Sequence, residues 1–472
     1  MGPSQDSQTR APASVISEVA GPDRHPLDRL KRELSLTDAT MLVVSSVIGV
    51  GIFLTPGTVA DALPHPGLIL AAWLTGGLLS LAGALANAEL GAMYPYAGGD
   101  YVYLREAYHA FAGFVAGWLS FFVIYAGTVA TLAVGFAESL GHFVALGEGQ
   151  KIAAAVALIV ATSWVNYTGV RAGARFNNVT GYVKVAALIG LVVAGPLLGH
   201  GSIDNLHPIF SAVAVAPVAH FGLALSPVLF TYLGWNASVY VASEIRDPGR
   251  TVPRSLFIGL AICTAIYLVL NAVYLYALPV NVLRGEVRVG EAAARALFGA
   301  AGGTIVAALV LTSIVGSLNA TILVGPRIAY AMALDGLFFG GVNRVHEVHR
   351  TPHVALAVQA LTAIALIVVL RRFPSMLDYT TFAIILATMA DVTALYALRR
   401  RQPQRPRPYR AWGYPAIPAL YLVANAGIAG VMLWGRPKEC TIAVIVTATA
   451  LPFYLLFARR AGSRAPSRKQ QR

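Results

Sequence analysis

The sequence predicts an all-α polytopic membrane protein of about twelve transmembrane helices. These form two inverted five-helix repeats (spans 1–5 and 6–10) followed by two trailing helices. Three observations carry that expectation. Hydrophobic residues make up 57% of the 472 and charged residues only 12%, with a mean hydropathy of +0.65, whereas soluble domains carry about a quarter charged residues. Apolar runs close to the roughly 20 residues that cross a bilayer recur along the whole chain. The first and sixth of these runs are both interrupted by helix breakers, and paired interruptions in corresponding positions point to an inverted-repeat membrane fold.

Taken in order, residues 1–33 are polar, contain proline and lack an apolar h-region. They read as a flexible cytoplasmic tail rather than a cleaved signal peptide. Span 1 is expected at 38–60 and contains SSVIGVGIFLTPG, Ser45 to Gly57, with three glycines and Pro56. Gly49 and Gly51 stand two apart, whereas a helix-packing motif wants glycines four apart. A kink or unwound segment is therefore favoured over a packing face, provided neighbours, cavity water or a ligand satisfy the freed backbone groups. Span 2 is expected at 67–93 and span 4 at 151–170. Span 3, at 107–137, and span 8, at 303–333, are long enough to tilt or to extend beyond the bilayer. Span 5, at 177–198, carries Lys184 nine residues past Arg175, about 13 Å along a helix and well inside the hydrocarbon. Span 6, at 218–243, holds the second interruption, SPVLFTYLGWNASVYV, with Pro227, Gly234 and Asn236 amid apolar residues. Spans 7 and 9 to 12 follow at 255–279, 353–371, 376–398, 414–435 and 440–458. The twelve-helix domain is thus expected over 34–460, with a basic cytoplasmic tail at 461–472.

The net charge of +13 is distributed as membrane topology requires. Lys and Arg concentrate in segments that fall inside when the N-terminus is cytoplasmic, which places both termini inside and the protein in the cytoplasmic membrane. RRRQPQRPRPYR, Arg399 to Arg410, then reads as a solvated inner loop near lipid headgroups rather than a nucleic-acid site. Two cysteines, Cys263 and Cys440, support neither a disulfide framework nor a metal site. HEVH, His346 to His349, has the wrong spacing for a zinc pair, and no Gly-Lys dipeptide exists to build a phosphate-binding loop. TGYV at Thr180 lies in a continuous helix pattern and supplies no carbonyl filter. No enzyme activity, metal or cofactor is expected. Glu89, Arg327 and Asp335 lie near inner ends of spans, where gate-closing salt bridges and snorkelling both fit. Asp391 in span 10 is expected to pair with a basic loop residue, and His220 to sit solvated at the outer mouth of span 6.

An unwound helix offers amide donors at one half-helix N-terminus and carbonyl acceptors at the other half's end. Those ends suit a carboxylate and an ammonium near the midplane, and an α-amino acid carries both on one carbon. The residues at the two breaks also carry a family resemblance. GVGIF in span 1 resembles the Gly-Ser-Gly-Ile-Phe motif of the amino acid–polyamine–organocation superfamily. FTYLGWN in span 6 is similar to the corresponding segment of its L-type amino acid transporter branch. The likeness continues through ELGAMYPYAGGDYVYL, SEIRDPGRTVPRSL and GPRIAYAMALDGLF, over roughly residues 34–460.

The resemblance implies a substrate site at Val47, Ile48, Gly49, Val50 and Gly51 of span 1 and Phe230, Thr231, Leu233, Gly234 and Asn236 of span 6. Amides around Gly49, Val50 and Gly51 would hold a carboxylate, and carbonyls of Val47, Phe230 and Leu233 an amine. Phe230 would close over the substrate and Asn236 would brace the unwound segment. Val50 departs from the family's serine or similar small polar residue, which removes a hydroxyl contact. Leu233 stands where relatives often carry a smaller residue, which favours small to medium neutral substrates. Lys184 resembles the family lysine whose ammonium fills the place of sodium, against span 1 carbonyls and Ser317 or Asn319. Snorkelling to the inner interface is its other reading. A sodium-independent secondary carrier of neutral α-amino acids is implied, with exchange, proton symport and facilitated uptake all open. A polyamine or organic-cation carrier is the alternative, but neither break contains the acidic side chain that it would want. The loop from Glu138 to Lys151 has no cysteine, so no disulfide-linked heavy subunit is expected.

Overall fold

The computed structural model describes residues 30–210, 218–370 and 373–464. Residues 1–29 and 465–472, most of the two expected tails, lie outside the described residues. Among those described, the fold is helical throughout, and the one β-type contact is an isolated bridge between Leu34 and Ile245. Among the described residues, nine helices are long and apolar enough to cross a membrane: Leu36–Leu54, Pro66–Met93, Ala110–Leu140, Val170–Leu198, Pro248–Ala277, Val289–Leu334, Met376–Arg401, Ala416–Gly435 and Pro437–Phe457. Glu148–Tyr167, Val218–Thr231 and His353–Leu370 occupy the remaining expected positions, spans 4, 6 and 9. Large apolar side chains such as Leu78, Trp164, Leu197 and Leu420 are exposed on the perimeter, as a bundle surrounded by lipid requires.

Span 1 starts at a capping box in which Ser35 and Asp38 satisfy each other's backbone amides. Its helix ends at Val47, residues 48–50 are non-helical, and helix resumes at Gly51–Leu54 and again at Pro56–Ala62. Span 6 runs Val218–Thr231, opens into a turn at 232–236, and resumes as Ala237–Tyr240. Gly234 in that turn has φ of 91°, a conformation that glycine reaches without the steric penalty other residues meet. The first half of span 1 packs against spans 5, 7 and 8, and the first half of span 6 against spans 2, 10 and 11.

Several features depart from a simple bundle. A separate helix, Asp100–Ala107, lies between spans 2 and 3, so the expected third span begins later, at Ala110. Span 3 contains a π-helical stretch at Leu119–Tyr125. Span 8 is kinked at Gly299, where φ is 75°.

The basic run is also not wholly solvated. Glu89 of span 2 is fully buried and receives Arg399 at 2.5 and 3.0 Å, Arg407 at 3.1 Å and the Ala411 amide at 2.7 Å. A buried carboxylate is stable only when its lone pairs are satisfied, and that demand draws Arg399 and Arg407 off the surface.

Candidate functional site

The two breaks lie against each other, and glycines make that approach possible. A Cβ on Gly51 would stand 2.5 Å from Thr231 Oγ1, and one on Gly234 would stand 2.5 Å from Ser46 Cβ. The Thr55 and Thr231 hydroxyls are 2.9 Å apart, joining the resumed part of span 1 to the end of the first half of span 6. Tyr267 of span 7, fully buried, sits within hydrogen-bond reach of the Val47 carbonyl at 2.8 Å and the Thr231 carbonyl at 3.0 Å. Its single hydroxyl proton serves the last carbonyl of each half-helix.

The backbone at the span 1 break is only partly satisfied. The Gly49 amide donates to the Val47 carbonyl at 2.8 Å. Among the described residues, the amides of Val50, Gly51 and Ile52 have no acceptor. The carbonyl of Phe230 accepts from the Leu233 amide at 3.0 Å, whereas among the described residues the Leu233 carbonyl has no donor. The breaks therefore leave open donors on span 1 and an open acceptor on span 6. Phe230 is 5% exposed, and Asn236 donates to the Tyr240 hydroxyl at 3.2 Å.

Lys184 is buried rather than snorkelled, at 3% exposure. Its Nζ donates to the Ser45 carbonyl at 3.2 Å, to Ser317 Oγ at 3.0 Å and to the Ile48 carbonyl. Ser317 Oγ in turn lies 2.6 Å from the Ser45 carbonyl and 2.8 Å from that of Ile48, and Ser313 reaches the Ile48 carbonyl at 3.2 Å. Small residues bring the three helices this close. A Cβ on Gly181 would meet Met41 and Ser45 at 2.5 and 2.7 Å, and one on Gly316 would meet Thr180 at 2.8 Å. Asn319 does not join the cluster. It bonds Asn166 at 2.8 Å and the Gly173 carbonyl at 3.1 Å, tying span 8 to spans 4 and 5.

A cavity of about 40 Å³ lies beside the breaks, lined among others by Ser46, Asp100, Tyr125, Leu233, Asn236 and Thr388. That volume holds one to a few water molecules.

The other charges singled out in the sequence resolve into pairs, with one exception. Arg327 and Glu244, each 1% exposed, form a bidentate pair at 2.8 and 3.2 Å. Glu244 also accepts the Glu33 and Leu34 amides on its carbonyl at 2.8 and 2.9 Å. Asp335 pairs with Arg105 and accepts from Tyr101. His220 is exposed, and among the described residues no cluster of His, Cys, Asp or Glu could hold a metal. The exception is Asp391. Among the described residues it meets no basic loop residue, but faces Asp100. Sequence reasoning missed Asp100 and Tyr267. An acid in a short loop helix and an aromatic in an apolar helix both read as ordinary scaffold.

The family model described as amino acid permease matches residues 34–456. The serine/threonine exchanger SteT of Bacillus subtilis (strain 168) is 31% identical over 441 residues, covering 92% of this chain and 98% of that protein. The human large neutral amino acids transporter small subunit 2 is 28% identical over 435 residues, covering 90% of this chain and 80% of its own. The human Asc-type amino acid transporter 1 is 28% identical over 435 residues, covering 90% and 82%.

Proposed function

This chain belongs to the amino acid permease family, and on that premise we propose that it is a sodium-independent secondary carrier of neutral α-amino acids in the cytoplasmic membrane. The observation that carries the reading is that, among the described residues, the amides of Val50, Gly51 and Ile52 and the carbonyl of Leu233 have no backbone partner, on two broken segments that Gly51 and Gly234 bring into contact. Oriented amides at the start of a half-helix favour a carboxylate, and an open carbonyl at the end of another favours an ammonium. The Val47 carbonyl is engaged by Tyr267, so the substrate ammonium shares it or displaces the hydroxyl. Phe230 serves as the gate and Asn236 as the brace of the span 6 turn. Leu233, lining the cavity, limits the side chain to small or medium size, such as alanine, serine, threonine or valine. Exchange and proton-linked transport both fit this site.

Sodium independence rests on Lys184. Its ammonium stands among the Ser45 and Ile48 carbonyls and the Ser317 hydroxyl, oxygens that would otherwise attract a small cation. Both termini are read as cytoplasmic from the distribution of Lys and Arg. The loop from Glu138 to Lys151 has no cysteine for an intersubunit disulfide, so the carrier works without a heavy subunit.

One observation favours the second reading, a polyamine or other organic-cation carrier. Asp100 reaches the cavity from outside both breaks, although Tyr240 and Ser120 already occupy its oxygens. Binding of labelled alanine, serine, threonine and valine to the purified chain, set against putrescine, discriminates the two. The proposal expects amino acid binding and indifference to putrescine. Failure of every α-amino acid to bind would sink it.

A further inference from the structure

Asp391 of span 10 is fully buried, and neither of its carboxylate oxygens has a hydrogen-bond donor. The groups that it faces are the Asp100 carboxyl and the Asn87 side chain, and the nitrogen and oxygen of Asn87 are likewise buried without partners. Asp100, 1% exposed, is well supplied. The Tyr240 hydroxyl stands 2.7 Å from both of its oxygens, and Ser120 donates at 2.7 Å. The titratable groups around the two carboxyls are Tyr103, Tyr125 of span 3, Tyr240 of span 6 and Tyr421 of span 11. None of these is a cation. Ser120 and Tyr125 both lie in the π-helical stretch of span 3, and such stretches often sit at functional sites.

Two ionised carboxylates facing each other in a buried site without a cation repel strongly, and each pays its own desolvation. One shared proton removes the repulsion. Donors stabilise the charged form of the carboxyl they contact, so Asp100 keeps its charge while Asp391 carries the proton and donates it to Asp100. We propose that Asp100 and Asp391 form a proton-binding site coupled to the substrate cavity.

The coupling runs through span 6, and it rests on the carrier reading above. Asp100 lines the cavity beside Asn236, and Asn236 donates to the same Tyr240 hydroxyl that bonds Asp100. When the span 6 turn moves, Tyr240 moves with it. Its withdrawal takes a donor from the Asp100 anion, which raises the proton affinity of the pair, and its return lowers that affinity. The pair takes a proton from cavity water in one conformation and returns it in the other, with no change of electrons. This makes the carboxyl pair the proton carrier.

Infrared difference spectroscopy on the full ligand-free chain tests the site. The expected result is a protonated-carboxyl band at neutral pH that is lost in Asp391→Asn and returns, shifted, in Asp391→Glu. A wild type without the band, or a band unchanged in Asp391→Asn, overturns the proposal. So does a band that collapses on adding sodium, which would make the pair a cation site. Proteoliposomes test the coupling. A pH gradient should accumulate labelled serine in the wild type, and Asp391→Asn should lose that response while Asp391→Glu retains part of it. A wild type that exchanges serine yet ignores the gradient overturns the coupling. A wild type that moves no amino acid defeats the carrier reading instead, and the infrared band still decides the site.

Discussion

Lys184, Tyr267 and Leu233 each carry a different share of the account. Lys184 was legible because a lysine about 13 Å into an apolar run has few places to go. The structure supplies what the run could not, the Ser45 and Ile48 carbonyls and Ser317. Lys184→Ala should abolish or severely slow exchange, because buried carbonyls lose their cationic partner. Lys184→Arg should fail as well, since a Cβ on Gly316 would lie only 3.4 Å from Nζ and a planar guanidinium needs more room than an ammonium. Near-normal exchange by the arginine variant would restore a snorkelling lysine. Tyr267 was not legible, for an aromatic in an apolar helix reads as core. Tyr267→Phe leaves the Thr231 carbonyl without its donor and the Val47 carbonyl with the Gly49 amide alone. It should cost about 1–3 kcal/mol of stability, read by thermal unfolding in detergent, and should slow exchange. Leu233→Gly should widen selectivity toward leucine and phenylalanine in competition assays, and an unchanged profile removes the steric argument.

The broken helices were the most legible elements. Glycine and proline within apolar runs mark both of them, and helix is lost at 48–50 and 232–236. What the runs could not convey is how tightly the breaks fit together. Gly51→Ala drives a methyl toward Thr231 Oγ1, and Gly234→Ala adds a positive φ to a clash with Ser46. Both variants should lose transport, with the larger fall in melting temperature at Gly234. A Gly234→Ala protein with wild-type stability and exchange would mean that the two spans do not meet in this way. The π-helical stretch at Leu119–Tyr125 and the helix at Asp100–Ala107 left no readable mark. An extra residue per turn changes no composition, and an acidic residue after a Gly-Gly turn looks like a solvated loop. The acid pair was hidden for the same reason, since its halves are 291 positions apart in the chain (391 − 100).

At the scale of the molecule, apolar runs and charge bias were enough to read twelve spans, but not how the ends of the spans are locked. Arg327 was assigned only to the inner end of a span. Its partner Glu244, 83 residues away in sequence, is as buried as it is. Arg327→Met leaves a buried carboxylate unpaired and should cost about 3–5 kcal/mol, read as thermal unfolding of the purified protein. A loss near zero would mean that Glu244 finds water. The same lock ties the segment before span 1, the link after span 6 and the end of span 8 into one unit. The most direct measurement is counterflow of labelled serine and alanine by the purified single chain in liposomes, with sodium present and with choline in its place. The account predicts saturable exchange of the same rate in both media, with no second subunit. Exchange that needs sodium, or no exchange with any α-amino acid, would contradict it.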